Sequence, residues 1–218
     1  MGPDTTVDFM SKVIAATSAT RDQDHAHLIV DQDPTVPNRQ AALLGDGEDP
    51  GPAMAAMARR LEQAGADFLV MPCNTAHAFA PAITAAVSIP LLSIIDVTVA
   101  ACHGHDRAGI LATAGCLEAG LYQDAFAAAG RVPVLPDTAE VAEISRLALE
   151  IKRGNRGPDV AERMRAVADA LVARGARVLV AACTEIPLVL TADRLTVPLI
   201  SSTDELARAT ADRCAGVA

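Results

Sequence analysis

Apolar and polar positions follow two alternating patterns along the chain. Helical periodicity fills longer stretches such as residues 50–64, and short continuous apolar runs separate them. Such runs are typical of strands that are covered on both faces. The runs lie at residues 27–30, 68–71, 91–95, 107–112, 178–182 and 197–200. This alternation predicts an α/β fold with mainly parallel sheets flanked by helices.

The most informative feature of the sequence is an internal repeat. Residues 61–73 and residues 171–183 share six identities at an offset of 110 positions, including a glycine and a final cysteine. The similarity resumes between residues 90–96 and residues 198–204, where Pro, Leu, Ser and Asp recur in the same order. Each copy therefore reads as a helix, a glycine turn, a buried strand, a cysteine, a helix and a strand.

The repeat predicts two pseudo-symmetric α/β lobes. We expect the first lobe to hold residues 1–100 together with residues 198–218, and the second lobe to hold residues 101–197. In open parallel sheets, ligands bind beyond the carboxyl ends of the strands. Because each repeated cysteine directly follows a strand, we expect one thiol at the ligand edge of each lobe, and the site in the cleft between the lobes.

Composition and charge narrow the class of protein. Apolar residues make up 51% of the 218 residues and charged residues 21%, which is typical of a folded globular protein. No apolar run approaches the roughly 20 residues that a membrane helix needs, so we expect no membrane partner. The formal net charge of −9 disfavours a nucleic-acid partner, because phosphates require a positive surface.

Cysteine and lysine usage indicates a cytoplasmic protein and limits the choice of cofactor. The five cysteines are an odd number and contain no Cys-x-x-Cys pair, which disfavours a disulfide framework or a zinc site and suits a reducing compartment. The chain has only two lysines, Lys12 and Lys152, and a pyridoxal phosphate enzyme needs a lysine for its Schiff base. We therefore expect no metal, and only these two lysines could hold pyridoxal phosphate, neither of them in a recognisable phosphate-binding context.

Two facing thiols suit the inversion of configuration at a carbon acid. One base removes the α-proton from one face, and a conjugate acid returns a proton on the other face. A thiol is suited to this because its pKa, ordinarily about 8.5, falls at a helix N-terminus or beside a cation. The polar side chains and backbone N–H groups of residues 73–75 and 183–185 are suited to hold a carboxylate or a developing enolate.

Two segments carry a resemblance to a known family. Met-Pro-Cys-Asn-Thr-Ala-His at residues 71–77 and Ala-Cys-Thr-Glu at residues 182–185 resemble the two signature segments of the aspartate/glutamate racemase family, and aspartate racemase is the nearest match. The resemblance covers essentially the whole chain. Its other segments are residues 1–3, 37–39, 47–50, 113–115 and 152–155.

The resemblance implies cofactor-independent racemisation of an acidic amino acid, L-aspartate to D-aspartate, by a two-base mechanism in a homodimer. Cys73 and Cys183 would be the catalytic acid/base pair. Arg39 and Lys152 would bind the substrate carboxylates, and Glu185 would receive the substrate ammonium group. The residues that would line the substrate pocket are Asn74, Thr75, Thr113, Thr184 and Glu185.

The sequence departs from the family's pattern at two places. The family carries a β-strand and a glycine before the Met-Gly-Pro loop of residues 1–3, whereas this sequence begins at that Met. Either the start codon has been placed late or the first strand is missing, and loss of that strand would expose a sheet edge in the first lobe. Cys116 stands where the family more often has Thr, and a thiol is a weaker hydrogen-bond donor than a hydroxyl. Weaker or altered anion binding is expected there.

Other functions remain open on the sequence. A glutamate or broad-specificity Asp/Glu racemase would need a pocket with room for one more methylene group of the substrate. Such a difference changes the binding free energy by only ~1–3 kcal/mol. A hydantoin racemase would use the same thiols and leave Arg39 or Lys152 without its role. A catalytically silent amino-acid-binding protein would bind aspartate and exchange no α-proton. A redox protein would form a reversible disulfide between Cys73 and Cys183.

The remaining cysteines and the histidine near Cys73 have structural interpretations. We expect Cys102, Cys116 and Cys214 to be small core residues. His77 follows Cys73 by four residues, which is compatible with one helix face. We expect it to pack or cap locally rather than to bind a metal or pair with the thiolate.

Overall fold

The computed structural model describes residues 2–216, and Met1 of the Met-Gly-Pro segment and residues 217–218 lie outside the described residues. Parallel strands flanked by helices confirm the predicted α/β fold. The α-helices are α1 (Pro3–Ala16), α2 (Arg39–Leu43), α3 (Gly51–Gln63), α4 (Ala80–Thr84), α5 (Ile94–Ala101), α6 (Ala114–Glu118), α7 (Leu121–Ala128), α8 (Thr138–Lys152), α9 (Pro158–Ala173) and α10 (Ser202–Cys214). The strands are β1 (Leu69–Val70), β2 (Leu91–Leu92), β3 (Arg107–Leu111), β4 (Val132–Val134), β5 (Val178–Ala181) and β6 (Leu199–Ser201). Within residues 2–216, no helix is both long enough and apolar enough to cross a membrane.

The chain divides into two compact units. Unit 1 comprises residues 1–94 and 203–218, and unit 2 comprises residues 95–202. The boundaries expected from the repeat lie at residues 100 and 198. The second boundary moves because β6, which the repeat places in the first lobe, pairs with β5 and so belongs to the sheet of unit 2.

Unit 2 is built on a four-stranded parallel sheet in the order β4-β3-β5-β6. Every residue of β5 is buried, as its continuous apolar run predicted. The apolar faces of α8 and α9 contribute much of the core of this unit. The core residues of these two helices are Ile144, Leu147, Ala148, Ile151, Val160, Ala161, Met164, Val167, Ala168 and Leu171.

Unit 1 has a smaller sheet, in which β1 and β2 pair in parallel with Leu69 opposite Leu91. Its core residues are Met54, Ala58, Leu69, Met71, Ala76 and Ile83. Helices α1 and α10 meet through an ion pair, since Lys12 Nζ lies 2.9 Å from Asp204 Oδ1. Lys12 also lies 2.9 Å from Asp8 on its own helix. The C-terminal helix is therefore tied to the first helix of the chain.

The second edge of β1 is open. β1 pairs with β2 on one edge, and across residues 2–216 no strand pairs with its other edge. A cavity of about 530 Å³ adjoins β1 and is lined by residues of 25–29, 65–70 and α10. Residues 27–30 do not form the predicted strand, because an apolar run becomes a strand only where a neighbour completes its hydrogen bonds.

Both copies of the internal repeat make the same turn. Gly65 and Gly175 have φ values of +93° and +95°, in the left-handed region that favours glycine. In each copy, the residue after the glycine donates a 3.1 Å hydrogen bond to the carbonyl of the repeated leucine, Leu61 or Leu171. Helices α3 and α9 therefore end with the same C-terminal cap, and each leads into the strand that precedes a repeated cysteine.

Candidate active site

Cys73 lies just beyond the carboxyl end of β1 in unit 1 and is half-buried. Its N–H donates to the carbonyl of Met71 at 2.7 Å, which turns the chain sharply out of the strand. Asn74, which is buried, follows directly, and the 3₁₀ helix Thr75–Phe79 begins after it. The sequence-predicted residues Cys73, Asn74 and Thr75 thus lie together at one end of a strand.

His77 is held between two backbone groups. Its Nδ1 lies 2.9 Å from the carbonyl oxygen of Cys73, and its Nε2 accepts a 3.2 Å hydrogen bond from the N–H of Ile94. These partners assign the proton to Nδ1, because only a protonated nitrogen can donate to a carbonyl. The prediction of a local capping role for His77 is confirmed. The ring ties the Cys73 segment to the first residue of α5.

Arg39 is the first residue of α2, which packs against the 3₁₀ helix that follows Cys73. The helix begins here because the side chain of Asn38 accepts hydrogen bonds from the first N–H groups of α2. Arg39 Nη1 donates to the carbonyls of Val36 at 3.0 Å and Pro37 at 2.9 Å. One edge of the guanidinium is therefore fixed to the loop that directly precedes α2.

Cys183 lies two residues beyond β5 in unit 2 and is buried. The pairing of β5 with β3 extends toward it, since the N–H of Ala182 donates to the carbonyl of Leu111 at 2.9 Å. The carbonyl of Cys183 then accepts from the N–H of Ile186 at 3.1 Å, at the start of the short 3₁₀ helix Ile186–Leu188. The central strands of the sheet thus fix the position of Cys183.

The carboxylate of Glu185 connects Cys183 to Lys152. The Cys183 thiol donates to Glu185 Oε2 at 3.0 Å, and the Thr184 hydroxyl donates to the same oxygen at 3.1 Å. Lys152 Nζ, at the end of α8, lies 3.5 Å from Glu185 Oε1. The family resemblance gives Glu185 and Lys152 separate contacts with a substrate, and these contacts between side chains were not predicted. The sequence feature that could have indicated the contact between Cys183 and Glu185 is their Cys-x-Glu spacing.

The surroundings of Cys183 oppose its ionisation. Burial raises the pKa of the Cys183 thiol well above its usual value, and the charge and hydrogen bond of Glu185 raise this pKa further. The positive charge of Lys152 acts in the opposite direction and is a smaller effect. The lowered pKa that a helix N-terminus or a nearby cation gives to a thiol is therefore not found at Cys183, because burial and the neighbouring carboxylate both disfavour the thiolate.

Thr113 lies in the same unit, two residues beyond β3. Because Leu111 of β3 is in register with Ala181 of β5, Thr113 and Cys183 follow the same edge of the sheet. Thr113 is buried and precedes α6, where the Ser145 hydroxyl accepts a 3.1 Å hydrogen bond from the N–H of Ala114. Ser145 was not singled out from the sequence, because its role depends on the packing of α8 beside α6.

The other cysteines lie outside these segments. Cys102 and Cys116 are buried core residues, as predicted. Cys214 is exposed at the last residue of α10, so the prediction of a core position for it is wrong. Within residues 2–216, no group of three or more His, Cys, Asp and Glu side chains is placed to hold a metal ion.

Comparison with known proteins decides the family. The sequence profile of Asp/Glu/hydantoin racemases matches residues 1–210. The chain belongs to the Asp/Glu/hydantoin racemase family. It is therefore a member of a family of racemases, which are isomerases, and the resemblance described from its two cysteine segments is confirmed.

Individual relatives of this racemase-family chain cover nearly all of it. The chain is 28% identical over 215 residues to the broad specificity amino-acid racemase RacX of Bacillus subtilis (strain 168). This alignment covers 96% of the chain and 93% of RacX. Its fold is similar to that of Picrophilus torridus aspartate racemase, with a TM-score of 0.88 and 27% identity. This alignment covers 98% of the chain and 90% of the aspartate racemase. An aspartate racemase homologue from Pyrococcus horikoshii OT3 has the same fold, with a TM-score of 0.79, 21% identity, and coverage of 98% and 95%.

Proposed function

We propose that this racemase-family chain racemises an acidic amino acid, with aspartate as the main substrate, and needs no cofactor. Cys73 and Cys183 would be its two bases. The observation that carries the proposal is the internal repeat, in which one cysteine follows the carboxyl end of a parallel strand in each unit. A two-base racemase requires two such groups, one for each face of the α-carbon.

The proposed reaction balances without any other reactant. The thiolate of Cys73 takes the α-proton of one enantiomer, so that the C–H bond breaks, an S–H bond forms and the electron pair stays on the α-carbon. The thiol of Cys183 gives its proton to the opposite face, which forms the new C–H bond and leaves a thiolate. The other enantiomer reacts by the reverse steps.

Binding of the two substrate carboxylates is proposed for Arg39 and Lys152. The Arg39 guanidinium is held by the carbonyls of Val36 and Pro37 through Nη1, and this anchoring orients its remaining N–H groups for a carboxylate. The Lys152 side chain is 46% exposed, so its ammonium group is accessible to a charged ligand. Donors proposed to hold the enolate or line the pocket are Asn74, Thr75, Thr113 and Thr184.

Independence from pyridoxal phosphate is supported by the two lysines of the chain. A Schiff base requires an uncharged amine. Burial lowers the pKa of Lys12, but its hydrogen bonds and charge contacts with Asp8 and Asp204 raise it, and the net change is upward. Lys152 faces the carboxylate of Glu185. Both amines are therefore close to anions that favour their charged form.

A homodimer and a cytoplasmic location are further parts of the proposal. The homodimer comes from the family resemblance. The location is supported by the odd number of cysteines and the lack of a Cys-x-x-Cys pair in the sequence. An equilibrium sedimentation measurement of the purified chain tests the dimer.

A broader substrate range is the second candidate, because the curated relative RacX is described as a broad specificity amino-acid racemase. A protein of this kind would act on amino acids without a side-chain carboxylate. One methylene or one carboxylate contact in a pocket is worth only ~1–3 kcal/mol, so closely related sites can differ in this range.

Proton NMR of L-aspartate with the purified protein in D₂O, without added cofactor, tests the proposal. We expect the α-proton signal to disappear and D-aspartate to accumulate. Parallel samples with L-glutamate and L-alanine separate an aspartate racemase from one of broad specificity. Line broadening of L-aspartate without exchange would instead indicate a binding protein, and a rate that depends on added pyridoxal phosphate would contradict the proposed chemistry.

A further inference from the structure

The contacts of Glu185 bear on the protonation of the two thiols. The repeat aligns Cys73 with Cys183, but the residue two positions later is Thr75 in one copy and Glu185 in the other. Glu185 is buried, and its Oε2 accepts hydrogen bonds from the thiol of Cys183 and the hydroxyl of Thr184. An ionised carboxylate only accepts hydrogen bonds, so a thiol that bonds to it must carry its proton.

We propose that Glu185 is a positioning residue that keeps Cys183 in the thiol form, so that the resting enzyme contains Cys183 as its acid and Cys73 as its base. This inference rests on the proposed function, because it assigns starting states to the two thiols of that reaction. Glu185 acts through Cys183 and does not itself touch the reacting carbon in this scheme.

The electrostatics of unit 2 agree with this assignment. The charged groups that act on Cys183 are Glu185, which raises its pKa, and Lys152, which lowers it less. Lys152 lies 3.5 Å from Glu185 Oε1 and is half-exposed, whereas Glu185 Oε2 is 3.0 Å from the sulfur itself. The carboxylate is therefore the nearer and better desolvated charge, and it stabilises the thiol over the thiolate.

The assignment makes the resting enzyme ready for one enantiomer. After Cys73 takes the α-proton and Cys183 gives up its own, Cys183 is a thiolate beside a carboxylate. The resting state returns when the Cys73 thiol loses its proton to water or buffer and the Cys183 thiolate gains one from the same source. The enantiomer that Cys73 deprotonates enters directly, and its mirror image requires this proton transfer first.

Alkylation by iodoacetamide across a pH range, read for each cysteine by peptide mass spectrometry, tests the inference without substrate. Only the thiolate reacts, so the midpoint of each rate curve reports its pKa, and the plateau reports access. We expect the Cys183 midpoint to lie above about 8.5, the ordinary pKa of a thiol. In Glu185→Gln, we expect the Cys183 midpoint to move to lower pH. The alkylation rate at a fixed pH below the midpoints of both proteins should then rise about three- to fourfold for every pH unit by which the midpoint falls, because the thiolate fraction rises tenfold while the nucleophilicity of the thiolate declines.

A matched variant controls for the removal of one negative charge. Glu162, an exposed residue of α9, pairs with Arg165, and Glu162→Gln should leave the Cys183 midpoint unchanged. A Cys183 midpoint at or below about 8.5 in the unaltered protein would overturn the inference, even if Glu185→Gln fails to fold. An unchanged Cys183 midpoint in a folded Glu185→Gln variant would also overturn it.

The outcomes also separate this inference from the proposed function. A protein that racemises aspartate but has a low Cys183 midpoint contradicts only the role given to Glu185. A protein with the expected midpoints that exchanges no α-proton contradicts only the proposed racemisation.

Discussion

The two copies of the repeat make the same backbone hydrogen bond at the start of the strand, but their cysteines have different neighbours. In both, the strand begins with the same 2.8 Å hydrogen bond to a proline carbonyl, from Leu69 to Pro90 and from Leu179 to Pro198. Beyond the strands, Cys73 is half-buried near a histidine, whereas Cys183 is buried against Glu185. The repeated residues thus place a thiol, and the residues that are not repeated give each thiol different neighbours.

The strands before the two cysteines also differ, in the number of strands with which each one pairs. β5 is paired on both edges, by β3 and β6, while β1 is paired by β2 alone within residues 2–216. The same turn and the same first hydrogen bond therefore lead into a central strand in unit 2 and an edge strand in unit 1. Sequence similarity between two segments fixes their local geometry, but their neighbours decide how well each is supported.

Replacement of each cysteine is the strongest way to break the comparison. We expect Cys73→Ala and Cys183→Ala each to lower racemisation by about 10²–10⁴-fold, because each removes one acid/base group. Each variant should still exchange the α-proton of one enantiomer, and the two variants should prefer opposite enantiomers, as measured by NMR in D₂O.

The matched control for these variants is Cys214→Ala, which removes an exposed thiol at the end of α10. It should keep the full rate. Full activity in Cys73→Ala or Cys183→Ala would show that the two copies do not act as a pair of bases, as would exchange of the same enantiomer by both.

Amide hydrogen exchange sharpens the comparison of the two strands. We expect the amides of β1 to exchange faster than those of β5, because a strand with one paired edge opens locally at lower cost. The difference should be roughly tenfold for each 1.4 kcal/mol between the opening free energies. Mass spectrometry of peptides that cover residues 66–73 and 176–183 measures it, with β3 as an internal reference for a fully paired strand. Equal protection of the two peptides would refute this expectation.

The smallest expected effect compares the two repeated glycines. Gly65→Ala and Gly175→Ala should each destabilise the protein by about 1–2 kcal/mol, because both have positive φ. Gly175→Ala should cost more, since a Cβ there would lie 3.2 Å from Arg107 Nε, while a Cβ at Gly65 meets nothing within 4 Å. Urea unfolding measures the difference.

The control for the glycine pair is Gly157→Ala, at a glycine with a φ of −70°. This substitution should change the free energy of unfolding much less than either of the other two. Equal losses at Gly65 and Gly175 would mean that Arg107 moves aside without cost.

Much of the fold of unit 2 was predictable because its two central strands, β3 and β5, are buried on both faces. The apolar runs at β3 and β5 could be recognised as strands without knowing which strands lie beside them. β4 was missed because it has three residues with Pro133 in the middle, and its place depends on pairing with the edge of β3. Residues 27–30 show the opposite error, since their apolar run has no strand beside it to complete a ladder.

The sequence proposes residues for the candidate site but does not give the contacts between them. The repeat singled out the two cysteines, and the family resemblance supplied the other positions. The hydrogen bond from Cys183 to Glu185 depends on how burial orients both side chains, and spacing alone does not determine this. The exposed position of Cys214 likewise depends on which face of α10 packs against the rest of unit 1.

The division of unit 1 along the chain has a consequence for synthesis on the ribosome. Residues 2–94 emerge first, but α10, which completes unit 1 through the ion pair between Lys12 and Asp204, emerges after all of unit 2. Unit 2 is continuous and can fold as soon as residue 202 leaves the exit tunnel. The N-terminal part must wait through the translation of more than a hundred codons with its α10-binding surface uncovered. Unit 1 can therefore be completed only after the whole of unit 2 has been synthesised.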